Sequence, residues 1–224
     1  MKSTSLVSLG AADMTEAEFA AAVDSRSSKP IYERMKQAKV GIAGCGGLGS
    51  NIAAALVRAG LGKLVIADFD TIELSNINRQ LYLPSQVGKP KAETLEKMLH
   101  DIDPYCEVEV HDIHITKDNA AEIFGGCQIV CEAFDVPENK SMLVNALLEN
   151  CPDMQVVSGV GMAGIGRAND IVTKRFGRLT VCGDGRTDVA DGEGLSAARV
   201  IICAGHMASA VLEMILESYS NPRK

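Results

Sequence analysis

The stretch VGIAGCGGLGSN, residues 40–51, starts as an apolar run, breaks into four glycines and reopens with the character of a helix. Gly44, Gly46 and Gly49 keep the spacing G-x-G-x-x-G between a predicted strand and a predicted helix, which is the setting that pattern requires. The first glycine permits a tight turn, the second lets backbone approach a ligand, and the third lets helix and strand pack closely. Anionic oxygens then sit at the helix N-terminus. Asp68 closes the next predicted strand about twenty residues on, the distance expected of a carboxylate that accepts ribose hydroxyls. A dinucleotide and ATP both offer a ribose and linked phosphates, so the turn leaves them unseparated; a turn serving only helix–strand packing is the plain alternative.

Working outward, strands alternate with helices. AKVGIAG, GKLVIADFD, CEVEVHDI, CQIVCEAFD and MQVVSGV read as strands. The segment after the glycine turn, KPKAETLEKMLHDID, KDNAAEIFGG and PENKSMLVNALLENC read as helices. That alternation predicts an α/β, Rossmann-like, mainly parallel sheet with helices on both faces. Residues 159–195 hold nine glycines among short β-like pieces, NDIVTKRF and RLTVCG, and predict a loop-rich antiparallel extension with mobile loops. The small-residue run SAARVIICAGHMASAVLEMILESY predicts a long helix packed against the sheet or a second subunit. Upstream, residues 1–14 read as loosely ordered. Thr15 and Glu18 form a capping-box pattern and Pro30 suits a first helical turn. We therefore expect a helical arm over 1–37 and a single globular domain over 38–224.

Composition narrows the function. The chain has 224 residues, 46% of them hydrophobic, enough for one large core. No run of eighteen apolar residues occurs, so no membrane span is expected, and the N-terminus lacks the pattern of a secretory signal. The expected location is cytoplasmic. Twenty-nine acidic against twenty-two basic residues argue against a nucleic-acid surface. Seven cysteines, an odd number with no CxxC, suit reduced thiols and give a poor zinc site.

Charge around the turn separates the two ligands. The stretch DFDTIELSNINRQLYLPSQVGKPKAE brings Asn76, Arg79, Gln80 and Lys91 within short reach of Asp68. A dinucleotide needs little beyond the helix N-terminus for its pyrophosphate, whereas a triphosphate needs further cations. Arg79 and Lys91 supply them, although either taken alone reads better as a solvated surface charge. Asp135, following the strand CQIVCEAFD, suits Mg²⁺ beside a triphosphate, since that ion takes one or two carboxylates plus phosphate oxygens. It also reads as an N-cap for the helix beginning near Pro137. His100, His111 and His114 read as surface or structural, and His206 as a core residue.

Taken together, GCGGLGS, DFDTIELSNINRQ, GKPKAE and the aspartate of CEAFD resemble the ubiquitin-activating-enzyme-like superfamily, which includes ThiF, MoeB and HesA. GIAGCGGLGSN, CEAFDVPENK, VCGDG and ICAGHMASAV look most like its short ThiF type. The match covers about residues 38–215. The resemblance implies ATP-dependent adenylation of the C-terminal glycine of a ThiS-like ubiquitin-fold sulfur carrier, in thiazole formation for thiamine. It assigns Gly44, Gly46, Gly47 and Gly49 to the nucleotide turn and Asp68 to the ribose. It gives Asn76, Arg79 and Lys91 to the phosphates and Asp135 to Mg²⁺. Arg26, with Arg34 behind it, would cross from the partner of a homodimer. The family's Asp-Asn-x-x-x-Arg is here Asp135-Val136 with Lys140 in the last place. Cys182, in a glycine-rich loop, would attack the adenylate or bond the carrier, or be an inert thiol. A sulfur donor such as a cysteine desulfurase would follow. The readings held against this are an NAD-dependent oxidoreductase, which leaves Arg79, Lys91 and Asp135 without work, and a non-catalytic carrier-binding protein. Within the superfamily, other carriers (the molybdopterin-synthase small subunit among them) or a tRNA-modifying cyclase are the alternatives.

Overall fold

Short aliphatic runs buried on both faces are the mark of parallel strands lying under helices, and four of them form the centre of this protein. They are β1 (Lys39–Ala43), β2 (Lys63–Ala67), β4 (Ile129–Glu132) and β5 (Gln155–Gly159). The computed structural model describes residues 14–27 and 30–220. The half-exposed β3 (Glu107–His111) and the hairpin β6 (Val172–Phe176) and β7 (Leu179–Gly183) complete one seven-stranded sheet, ordered β3-β2-β1-β4-β5-β7-β6. Every pair is parallel except β6–β7, as the sequence pattern implies.

Helices cover both faces. On one side α3 (Gly47–Arg58), α4 (Lys91–His100) and α7 (Ala197–Ser220) bury Ile42, Leu64, Ile66, Cys131 and Val157. On the other, α5 (Ala120–Phe124) and α6 (Pro137–Asn150) bury Ala43, Val65, Val130 and Val156. Successive strand residues thus feed opposite cores, as the two-residue period demands. By length and composition α7 qualifies to cross a membrane over Ala197–Glu217. Its Val200, Cys203, Met207 and Val211 are nonetheless buried in the core it shares with α3.

The two expected N-terminal helices are present, α1 (Glu16–Asp24) and α2 (Tyr32–Lys36), and Thr15 and Glu18 do form a capping box. Asp24 accepts the backbone N–H groups of Ile31 and Tyr32 at 2.8 and 3.1 Å and so starts α2. Met35 of α2 belongs to the same core as β1. The looseness expected of residues 1–14 falls almost wholly outside the described residues.

The chain runs β1, β2, β3 toward one edge and then returns to place β4 on the other side of β1. That reversal is a topological switch point, where a crevice opens beyond the carboxyl ends of the strands. The glycine turn fills the step from β1 into α3. Gly44 holds φ +93°, and a carbon added at Gly49 would stand 1.8 Å from the Gly44 carbonyl oxygen. Gly49→Ala is expected to destabilise the fold by about 3 kcal/mol or more, lowering Tm by roughly 6–12 °C. Gly46→Ala, which would meet only the Gln80 amide at 3.6 Å, should shift Tm by roughly 2 °C or less; thermal denaturation of the two variants checks the contrast.

Candidate functional site

The crevice is a cavity of about 840 Å³. Gly44, Gly46 and Gly47 form one wall, and Asp68, Arg79, Lys91 and Asp135, chosen from sequence, converge on it. Each is fixed locally. Asp68, at the end of β2, accepts the Cys45 N–H at 2.6 Å and the Asp70 N–H at 2.8 Å, so this acid braces the turn. Burial pushes its carboxyl pKa up, against those two donors and the nearby Lys91 charge.

Arg79 and Gln80 are held at the start of α3 by side chains of that helix. Asn51 Nδ2 donates to the Gly47 and Arg79 carbonyls at 2.7 and 3.3 Å, and Ser50 Oγ accepts the Leu81 N–H at 3.2 Å. The Arg79 guanidinium rests on Ser75 O and Asn78 Oδ1. Gln80 Oε1 is buried with no hydrogen-bond partner among the described residues, an orphan polar atom beside the turn of the kind a ligand satisfies. Tyr82 ties the turn to α4, its hydroxyl lying 2.8 Å from Cys45 O and 3.2 Å from Lys91 O. Lys91, its side chain only 8% exposed, pairs with Asp70 at 2.7 Å.

Asp135 lies in the loop after β4, three residues past the strand's last residue, Glu132. It is exposed at the cavity rim. The N-cap of α6 is Val136 and no side chain caps that helix, so the capping role weighed for Asp135 is not the one it plays. Among the described residues no group of three His, Cys, Asp or Glu is arranged to hold a metal. A single rim carboxylate suits Mg²⁺ arriving with phosphates, which supply most of its shell.

Several of the sequence candidates stand off the cavity. Asn76 does not line the cavity; its Oδ1 accepts the Glu73 N–H at 3.1 Å and closes its own short turn. Gly49 is off the cavity and makes the close helix–strand contact that its place in the glycine pattern predicts. Cys182 is not in a mobile loop but in β7, 0% exposed, with Thr173 Oγ1 at 3.5 Å. Burial raises its thiol pKa, the Thr173 contact offsetting part of that. A thiol so buried is a poor nucleophile. Arg26 is exposed in the turn after α1 and absent from its own chain's cavity. Arg34 lies on α2, reaching the Leu216 carbonyl at 3.5 Å.

Other functional features escaped sequence reasoning. His114 lines the cavity with its ring 4.8 Å from Phe69, and Ile113 and Val136 extend this apolar side. The glycine-rich segment beyond β5 forms the opposite wall, and it is clasped. Arg199, in the first turn of α7, pairs with Asp184 at 2.6 Å, both side chains 1% exposed, and donates to the Gly166 and Arg167 carbonyls at 2.8 and 2.9 Å. Burial alone would raise the Asp184 carboxyl pKa. The Thr187 and Arg186 N–H groups, the Thr187 hydroxyl and the Arg199 charge overcome it and hold the pKa at about 2.

Comparison with known proteins places this geometry in a wider group. Residues 19–223 match the family described as "ThiF family". The Thermus thermophilus sulfur carrier protein adenylyltransferase is 39% identical over 104 residues, 46% of this chain and 38% of that protein. The Bacillus subtilis tRNA threonylcarbamoyladenosine dehydratase is 35% identical over 137 residues, 60% of this chain and 53% of that protein. Ubiquitin-like modifier-activating enzyme 5 of Caenorhabditis elegans is 41% identical over 85 residues, 38% of this chain and 20% of that protein. The chain thus spans between a fifth and about half of these relatives' length. The crystal structure of the E. coli tRNA N6-threonylcarbamoyladenosine dehydratase in complex with AMP has the same fold. Its TM-score is 0.82 at 21% identity, over 92% of this chain and 98% of that one.

The Asp184 carboxyl, held near 2 against an ordinary 3.8, contributes stability that is complete above about pH 4 and is lost as pH falls toward 2. About 2 kcal/mol is involved. In Asp184→Asn that acid-dependent loss should disappear, leaving Tm flatter between pH 4 and 2 than in the parent, as differential scanning fluorimetry across pH would show.

Proposed function

The chain belongs to the ThiF family, and from that premise we propose that it binds ATP in the cavity and adenylates a carboxylate. The acceptor we favour is the C-terminal glycine of a ThiS-like, ubiquitin-fold sulfur carrier, in thiazole formation for thiamine. The observation that supports this most is the convergence of Arg79 and Lys91 on one glycine turn with Asp135 at the rim, a charge supply beyond what a dinucleotide requires.

In this reading the N–H groups opening α3 meet the phosphates and Asp68 takes the ribose. The apolar side at Phe69, Ile113 and His114 receives the base. Arg79 and Lys91 offset the triphosphate charge, and Asp135 would hold Mg²⁺, which when bound supplies further charge neutralisation on the phosphates. The acceptor carboxylate is ionised at neutral pH, so no general base is needed. One of its oxygens bonds to the α-phosphorus while the bond from that phosphorus to the bridging oxygen breaks, and the electron pair leaves with pyrophosphate. Catalysis is then positioning and electrostatics. The acceptor tail enters along the wall of Val160 and Val189, both exposed and both facing the cavity.

A homodimer, with Arg26 serving the partner's cavity, and a separate sulfur donor complete the proposal. The seven cysteines stand as free thiols, which suits a reducing cytoplasm. The Bacillus subtilis tRNA threonylcarbamoyladenosine dehydratase raises a second class of substrate, a tRNA; the net charge of −7 favours a protein acceptor.

ATP–pyrophosphate exchange with carriers ending in Gly-Gly tests the proposal. Exchange is expected with such a carrier. Asp135→Ala should lower it on the order of 100-fold, and Cys182→Ala should retain it within about twofold. Thermal stabilisation by NAD(H) and not by ATP·Mg²⁺ would overturn the nucleotide assignment, and exchange driven by tRNA alone would overturn the carrier.

A further inference from the structure

Lys140 belongs to the cavity wall, and its charge is paired within the protein. An ammonium has three donors. Lys140 Nζ donates to Glu132 Oε1 at 3.0 Å and to Phe134 O at 2.9 Å, and its charge also lies 2.8 Å from Glu132 Oε2. Glu132, 0% exposed, is equally committed: Oε1 also accepts the Phe134 N–H at 2.7 Å, and Oε2 the Ser158 hydroxyl at 2.6 Å. The carboxylate at the centre of the network is fully buried, and the Lys140 side chain that covers it is 17% exposed.

Both peptide groups of Phe134 are thereby gripped, the N–H by Glu132 and the carbonyl by Lys140. Asp135 is the next residue. The gripped loop also lies on the glycine turn, since a carbon added at Gly44 would stand 3.0 Å from Ala133 O and 3.2 Å from the Phe134 ring. A fully satisfied polar network fixes geometry in a way apolar packing does not. We propose that Lys140 is a positioning residue: with Glu132 it clamps Phe134 from both sides and so holds the Asp135 carboxylate toward the nucleotide cavity. The role rests on the reading of Asp135 given above, and the clamp is testable without it.

Two measurements decide it. The first is amide hydrogen exchange of peptides spanning 133–139. Lys140→Met should speed their deuterium uptake at least about tenfold, while Lys117→Met, which breaks the exposed pair with Glu149, should leave it unchanged. Because Lys140→Met strands a buried carboxylate, Glu132→Gln/Lys140→Met, which removes both charges, is measured beside it. The second is Mn²⁺ binding in the presence of ATP, followed by electron paramagnetic resonance. Loosening the clamp should weaken it roughly tenfold, with ATP affinity in the absence of metal unchanged. Lys140→Met should cost nothing further in Asp135→Asn, because the clamp acts through that carboxylate. Unchanged uptake at 133–139, or a full additional loss in the Asp135→Asn background, overturns the proposal. Absence of ATP·Mn²⁺ binding by the parent would instead sink the nucleotide reading, and the uptake data would still decide the clamp.

Discussion

The contact between Gly49 and the Gly44 carbonyl sets the position of everything else at the site. It requires α3 to begin directly against the end of β1, with no room for a side chain between them. The N-terminal N–H groups of α3 consequently emerge at the switch point between β1 and β4. From that fixed start, Ser50 and Asn51 carry the Arg79–Leu81 segment, Asp68 braces Cys45, and Tyr82 spans from the turn to α4. Two backbones held at van der Waals contact therefore determine where two cations and two acids stand.

The architecture was legible because buried parallel strands are written as continuous aliphatic runs and helices as periodic ones. The glycine turn, Asp68 and Asp135 were legible because each stands close in sequence to a strand end, and Arg79 and Lys91 because they are the cations of the stretch that follows Asp68. Glu132 was not. A lone acid closing an apolar strand gives no sign that its partners are eight and twenty-six residues away. Cys182 was misplaced for a related reason. The glycines around it suggested mobility, yet Gly161 and Gly183 make positive-φ turns at which backbone packs against backbone. The clasp that holds the segment comes from Arg199, on another element. Asn76 came to the phosphates by resemblance alone, and both ends of its amide are used locally, Oδ1 accepting the Glu73 N–H and Nδ2 donating to Ser75 Oγ.

Two buried ion pairs flank the cavity, Arg199–Asp184 on one wall and Lys140–Glu132 on the other. Removing such charges from water costs about as much as their attraction returns, so neither is a strong source of stability. Each instead directs its remaining hydrogen bonds at loop carbonyls or N–H groups. The irregular segments at the mouth thereby acquire defined shapes without regular secondary structure, which suits walls that must fit a ligand.

The pair between Lys91 and Asp70 has a consequence for selectivity. An ammonium this shielded from water already has an internal counter-ion, so an arriving anion meets a rival at 2.7 Å. A small, singly charged species gains little by contesting that place. A chelating polyanion that engages the turn, Arg79 and Lys91 together gains from all three at once. The resting crevice is in this sense self-buffered, discriminating by the number of charges a visitor brings and their spacing.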